Sequence, residues 1–328
     1  MASREQTTEV LVIGAGIAGL IAAGEIRRAG RSVTILDKGR GVGGRLASRR
    51  IEGETFDHGA RGFALGDPRW IAVGLRDRLG EAVAEWPPVA ITGDAAHGLW
   101  RGTPSMSAVA RHLAHGLEVH LETTVTALRP DEDRWVATTL DGGTFRAEAV
   151  ILTPPVPQAL AMLDAGGFVC GSELRSRLDA IVYDPCLVVM ALLDRPSRIP
   201  PPGGLAPASG PVAWITDNLL KGISSKPAVT LHATPGFSRE NWDRERLETG
   251  RTLLSSVAEW LGSGVRTFQI HGWRYSQPRV LDRDPCLLIN ACPPLVLAGD
   301  AFGQGIVEGA AHSGWSAART ILAHRPHP

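Results

Sequence analysis

Gly14-x-Gly16-x-x-Gly19 follows the apolar run Val10–Ile13, and Asp37 closes a second apolar run, Ser32–Leu36. Residue types in this order suit one kind of chemistry: they hold a pyrophosphate against backbone N–H groups. Gly14 permits a tight turn, Gly16 lets phosphate reach the main chain, and Gly19 lets helix and strand pack closely. The helix opening here, with Ile17 and Ala18 in its first turn, offers free N–H groups and a positive dipole end to the anion. Gly30 caps its far end. Asp37, followed by Lys38, is placed to accept hydrogen bonds from ribose hydroxyls. A glycine-rich turn alone is a weak signal. The complete strand–turn–helix–strand–acid unit is a strong one.

Nicotinamide and flavin dinucleotides both use that unit, and Arg40-Gly41-Val42-Gly43-Gly44-Arg45 chooses between them. The glycine doublet brings the chain past the pyrophosphate a second time, and Arg45 supplies a rigid guanidinium fork for phosphate oxygens. This pattern resembles the FAD-binding, amine-oxidase-like flavoproteins. Near the other end, Leu295–Ala298 runs into Gly299-Asp300, and Val307-Glu308-Gly309-Ala310 opens a helix. The resemblance implies that Asp300 bonds the ribityl chain and that the helix start faces the flavin N1/O2 edge. Hydride arrival places negative charge there, which a positive helix end stabilises. Glu308 at a helix start can also be a dipole-compensating carboxylate without chemistry. By the same resemblance Gly59, Ala60 and Val125 border the cofactor. Covalent attachment in amine oxidases uses a cysteine near this segment, but residues 301–306 read Ala-Phe-Gly-Gln-Gly-Ile and Cys292 precedes the strand. FAD is therefore expected to be non-covalent.

Lys+Arg and Asp+Glu are both 34, so no general polyanion-binding field exists and nucleic acid is not an expected partner. The four cysteines (Cys170, Cys186, Cys286, Cys292) lack metal-ligand spacing and read as reduced thiols, with no metal expected. Val10–Ala23 is apolar like a secretory signal, yet it carries the phosphate-binding glycines and follows Glu5 and Glu9. With no run of about eighteen apolar residues, the expectation is a soluble, cytoplasmic protein without membrane contact.

At 328 residues the chain is long enough for two lobes. The expected fold is α/β: a Rossmann-like FAD-binding domain of the glutathione-reductase/amine-oxidase type, plus an α+β substrate domain on an antiparallel sheet. Residues 1–65, 105–165 and 290–328 form the discontinuous FAD-binding domain, and 66–104 with 166–289 the substrate domain. In the first, Ser107–His115 reads as a helix and Leu117–Val125 as a strand. Trp135–Leu140 and Gly143–Ala147 read as a hairpin around Asp141-Gly142. In the second, Leu187–Leu193, Val212–Thr216, Ala228–Ala233 and Thr267–Trp273 are the candidate strands. Arg244–Leu261 has helical apolar spacing and should cover them. Asp67–Trp86 reads as helical, and Pro196–Pro211 as an irregular loop.

Several segments sharpen the resemblance toward the renalase-like FAD oxidoreductases: Phe56-Asp57-His58-Gly59-Ala60, Thr153-Pro154-Pro155, Leu231-His232-Ala233-Thr234 and Trp273-Arg274-Tyr275-Ser276. The resemblance implies hydride transfer from 2- or 6-dihydro-NAD(P) to flavin N5, with dioxygen reoxidising the flavin to give hydrogen peroxide and NAD(P)+. Partners are then a dihydropyridine nucleotide and O2. A dihydropyridine is an electron-rich donor, so the protein chiefly orients two rings and excludes water. His232, Arg274 and Trp273 are the candidate pocket residues; each also has an ordinary structural reading as sheet residue, ion-pair partner or core indole. An amine oxidase or desaturase, or a non-catalytic flavin-binding protein, are the alternatives. Relatives usually continue Gly-Ala-Gln-Tyr-Phe, whereas this chain has Gly59-Ala60-Arg61-Gly62-Phe63, a departure bearing on the substrate.

Overall fold

Strand Glu5–Ile13 pairs in parallel with Val33–Leu36 on one side and with Thr144–Leu152 on the other. It sits inside an eight-stranded sheet in the computed structural model, which describes residues 5–64, 74–87 and 99–324. Val33–Leu36 is buried at every position, as a parallel strand covered on both faces must be. One edge of Thr144–Leu152 is shared. Its first half takes the antiparallel strand Arg134–Thr139, and its last residues take the parallel strand Pro294–Leu297. The last strand is thereby seated two places from the first.

Helix Ile17–Arg28 and the closing helix Ile306–Ala323 lie together on one face of this sheet. A Cβ at Gly314 would stand 2.0 Å from the Ala18 carbonyl oxygen, so only glycine lets these helices approach this closely. The amino- and carboxyl-terminal motifs are brought together there. Among the described residues, no helix is long and apolar enough to cross a membrane.

The second sheet has five strands in the order Gly204–Leu205, Val212–Asp217, Ala228–Ala233, Tyr183–Leu193, Val265–Pro278, all antiparallel. The mixed α/β architecture is thus the expected one. Strand alternation sorts the sheet's residues into two faces. Leu187, Val189, Leu231 and Ile215 pack under helices Arg246–Ser255 and Ala258–Leu261. Met190, Leu192 and Ala228, on the other face, meet Ile51 and Phe56 of the hairpin Ser48–Ile51/Glu54–Asp57.

Four expectations need adjustment. Arg244–Leu261 is two helices, broken after Ser255, with Glu245 capping the first by accepting from the Leu247 and Glu248 N–H groups. Within Asp67–Trp86, residues 67–73 lie outside the described residues. Leu75–Leu79 is a short helix, ended by Gly80 at φ +44°, and Val83–Trp86 is a strand paired with Leu99–Gly102. Leu117–Val125 splits into Glu118–His120 and a new strand from Val125, with Glu122 at φ +53° in the turn. Pro196–Pro211 contains the short edge strand Gly204–Leu205.

The lobes are joined by charge as well as packing. Lys221, fully buried, donates to Asp57 Oδ2 and to the Arg61 carbonyl oxygen, each at 2.7 Å, and lies 4.9 Å from the Trp86 ring. Asp57 Oδ1 accepts from Ser48 Oγ and the Met106 N–H. Glu54 accepts from Ser225 and the Lys226 N–H on the same connecting loop. Burial pulls the Lys221 pKa down, and the Asp57 charge opposes that fall. Lys221→Met should cost about 3–5 kcal/mol, because the Asp57 charge is left buried and uncompensated. A chain carrying both Asp57→Asn and Lys221→Met should recover much of that loss, as read from urea denaturation midpoints.

Candidate functional site

Gly14 takes φ +103°, and its N–H donates to the Leu36 carbonyl at 2.8 Å, fixing the turn between strand and helix. No side chain caps the helix start at Gly16, which leaves its first N–H groups available to an anion. Gly43, at φ +118°, bridges to Gly16 and donates its N–H to the Ala15 carbonyl at 2.8 Å. The two glycine segments, read from separate motifs, are therefore one surface. A Cβ at Gly16 would meet nothing within 4 Å, whereas one at Gly19 would stand 1.9 Å from the Gly14 carbonyl oxygen. Gly16 thus faces open space beside the uncapped helix start, and that is the shape a pyrophosphate needs. The residues fit a dinucleotide.

Asp37 holds the loop from below. One carboxylate oxygen accepts from the Ala15 N–H and the other from the Gly39 N–H, both at 2.6 Å. Each oxygen retains a lone pair for a ribose hydroxyl. Lys38 is exposed, its Nζ 3.4 Å from Gln158 Oε1, and Val125 is buried in the core under the first sheet.

Arg45 and Asp300, given separate tasks by their motifs, grip each other in a bidentate pair. Arg45 also donates to the Tyr275 and Ser276 carbonyls, each at 3.2 Å. Burial alone would lower the guanidinium's pKa; the adjacent Asp300 carboxylate outweighs it and raises it. Gly59 and Ala60 run against the same residue: the Ala60 N–H donates to the Arg45 carbonyl at 2.8 Å, and a Cβ at Gly59 would clash with that oxygen. The Gly299 N–H donates to Ser313 Oγ at 2.8 Å, pinning the last strand to the closing helix. Glu308, buried in that helix's first turn beside Val307 and Gly309, accepts from the Ala64 N–H. Its carboxylate ties a loop as well as facing a helix start.

Facing this surface is the polar side of the second sheet. His232 Nε2 donates to the Gly59 carbonyl at 3.1 Å, and Trp273 Nε1 to the His58 carbonyl at 2.7 Å. The His58, His271 and Trp273 rings pack with centroids 4.4–5.2 Å apart. Burial, reinforced by the neighbouring positive charge of Arg61, drives the His232 pKa down to about 3. Burial and the His271 and Arg49 charges drive His58 to about 4. Both imidazoles are neutral at pH 7, and each keeps a buried Nδ1 without a partner. Burial pushes the Cys186 thiol up to about 11, so it stays protonated. The rings on this surface are uncharged and packed against one another.

Of the three candidate pocket residues, the sheet brings His232 and Trp273 together at the lobe junction. Arg274, one residue along the strand, projects to the other side and lies 5.3 Å over the Trp242 ring. Period-two alternation is the reason. The Lys221–Asp57 pair and the placement of Arg61 over Trp214 were not foreseen, although Asp57 stood in a segment that carries the resemblance and Arg61 marked a departure from it.

Residues 62–322 match the profile of the flavin containing amine oxidoreductases, and residues 12–73 that of an NAD(P)-binding Rossmann-like domain. The chain is 23% identical to the renalase of Mus musculus over 339 residues, covering 96% of this chain and 98% of that one. A hydroxyneurosporene desaturase of Rubrivivax gelatinosus is 33% identical over 102 residues, covering 31% of this chain and 19% of the desaturase. A putrescine oxidase structure superposes with a TM-score of 0.74 at 15% identity, covering 98% of this chain and all of that one.

Gly16→Val should fold yet bind no FAD, since its side chain enters only the open cradle; Gly19→Ala should fail to fold, its Cβ meeting backbone. Flavin absorbance and circular dichroism of the two variants separate these outcomes. The depressed histidines also set a pH dependence. The unfolded chain takes up their protons first, so their contribution to stability is complete above about pH 6.5 and falls toward pH 4 and 3. The thermal midpoint should drop more steeply between pH 7 and 4 in the parent than in His232→Gln.

Proposed function

Because the chain belongs to the flavin-containing amine oxidoreductases and carries FAD without a covalent bond, we propose that it is an oxidase of 2- or 6-dihydro-NAD(P). Bound FAD supplies the acceptor for the donor's hydride and, through dioxygen, the route to NAD(P)+ and hydrogen peroxide. Gly14, Gly16, Gly19, Gly43 and Gly44, with the helix start at Ile17 and Ala18, would hold the pyrophosphate, and Asp37 the ribose. Gly299 and Asp300 would flank the ribityl chain. The Gly59-Ala60 backbone and the 307–309 helix start would border the ring.

The observation that carries the reading is the neutral aromatic wall opposite Gly59. His271 and Trp273, half-buried and packed on the buried His58 ring, would give a planar donor ring faces to lie against, and His232 keeps a buried, unpartnered Nδ1. A dihydropyridine gives up hydride without first losing a proton from nitrogen, so uncharged imidazoles suffice. What remains for the protein is to align the ring and exclude water, and a rigid wall does both. The likeness to a renalase along nearly the whole chain supports the same reading.

Mixing the yellow protein anaerobically with 6-dihydro-NAD(P), ordinary NADPH and a panel of amines tests it. Flavin bleaching by the isomer, and little by NADPH or the amines, is the expected result. Bleaching by amines alone would overturn the assignment and make the protein an amine oxidase; no bleaching by any donor would make it a non-catalytic flavin binder.

A further inference from the structure

Two cationic side chains at the lobe junction are held by a carboxylate: Arg45 by Asp300, and Lys221 by Asp57. Arg61 is different. Its guanidinium lies 4.3 Å over the Trp214 ring and makes no ion pair or side-chain hydrogen bond among the described residues. A cation stacked on an indole keeps its in-plane N–H edges free for an acceptor.

Two properties of Arg61 bear on how an anion would meet it. The residue is exposed to solvent, yet desolvation by surrounding protein pulls its pKa below the ordinary arginine value. Its charge is felt at His232 and at Cys186, which lie with Trp214 on the sheet face that meets Gly59. The groups acting on His232 through charge are Arg61, His58 and Lys221; burial holds His58 neutral, and Asp57 neutralises Lys221. Among the described residues, the Arg61 charge at His232 is left without a carboxylate partner.

The backbone holds Arg61 rigidly. Its carbonyl accepts from Lys221 Nζ at 2.7 Å. Next to it, a Cβ at Gly62 would stand 2.7 Å from the Trp100 carbonyl oxygen, and Phe63 exchanges two hydrogen bonds with Trp100, at 3.0 and 2.7 Å. Glycine at 62 thus lets the chain press against the neighbouring strand and fixes the base of the arginine.

We infer that Arg61 is the anion-recognising residue of the donor pocket, so that the preferred donor carries a phosphate or carboxylate within reach of this guanidinium. The inference rests on the oxidase reading for the word donor, but not for anion binding itself. Arg61 binds and selects; it takes no part in the hydride step. A protonated amine meets the same charge as repulsion, so the residue also discriminates against cationic donors.

Inorganic phosphate and benzoate, titrated separately into the oxidised holoenzyme and followed by flavin difference spectra, test the site in Arg61→Gln and Arg61→Lys. At least one anion should bind the parent and weaken about tenfold or more in Arg61→Gln, with Arg61→Lys intermediate, as expected for loss of a charged, bidentate donor. Which anion responds distinguishes phosphate from carboxylate recognition. With the dinucleotide isomer, Arg61→Gln should raise KM about tenfold and leave kcat within about twofold, the pattern of lost uniform binding. With the phosphate-free dihydronicotinamide riboside isomer, a phosphate site predicts no change. Unchanged anion affinity in Arg61→Gln, no anion binding by the parent, or reduced FAD content in Arg61→Gln would each overturn the inference. If dihydropyridines fail to bleach the flavin while the titration still depends on Arg61, the oxidase reading falls and the anion site stands.

Discussion

The bidentate pair between Arg45 and Asp300 is the contact on which the site's geometry depends. Arg45 follows the second glycine segment, Asp300 ends the last strand of the first sheet, and the same guanidinium reaches two carbonyls of the long strand Val265–Pro278. Three distant stretches of chain thus meet at one charged group. A guanidinium has five donors in a fixed plane, so it can serve a carboxylate and two carbonyls at once, which an ammonium cannot do with the same directional control. Opposite charges in a partly buried place also attract more strongly than they would in water.

Around that contact, the two sheets divide the work. The first is covered on both faces and serves as a rigid mount for backbone N–H groups and turns. The second uses its two faces differently. One is apolar and sealed by helices, and the other carries His232, Trp214, His271 and Trp273 toward the first lobe. The hairpin Ser48–Asp57 and the segment that follows it lie between the sheets. They are held by Glu54, Asp57, His58 and Gly59, each bonded to a residue of the second lobe. Motion of one lobe against the other would break several of these bonds together.

Electrostatically, the junction combines neutral pairs and neutral rings with arginine charges. Lys221 with Asp57 and Arg45 with Asp300 cancel; His58 and His232 are held uncharged by burial. The positive charges of Arg49 and Arg61, which no ion pair among the described residues offsets, help to keep those rings neutral.

The sequence by itself determined the dinucleotide cradle. Gly14, Gly16, Gly19 and Asp37 act through local turn geometry and through a helix start a few residues away, so their spacing carries their meaning. The antiparallel second sheet was legible for a related reason, since its strands are apolar runs bounded by breakers. Tertiary structure alone decided that Arg45 pairs with Asp300, that Lys221 neutralises Asp57, and that Arg274 leaves the face occupied by Trp273. Those outcomes depend on contacts between residues 164 to 255 positions apart and on which way a strand's pleat points once both lobes are packed. Periodicity says that Trp273 and Arg274 face opposite ways; only the packed lobes decide which of the two faces the site.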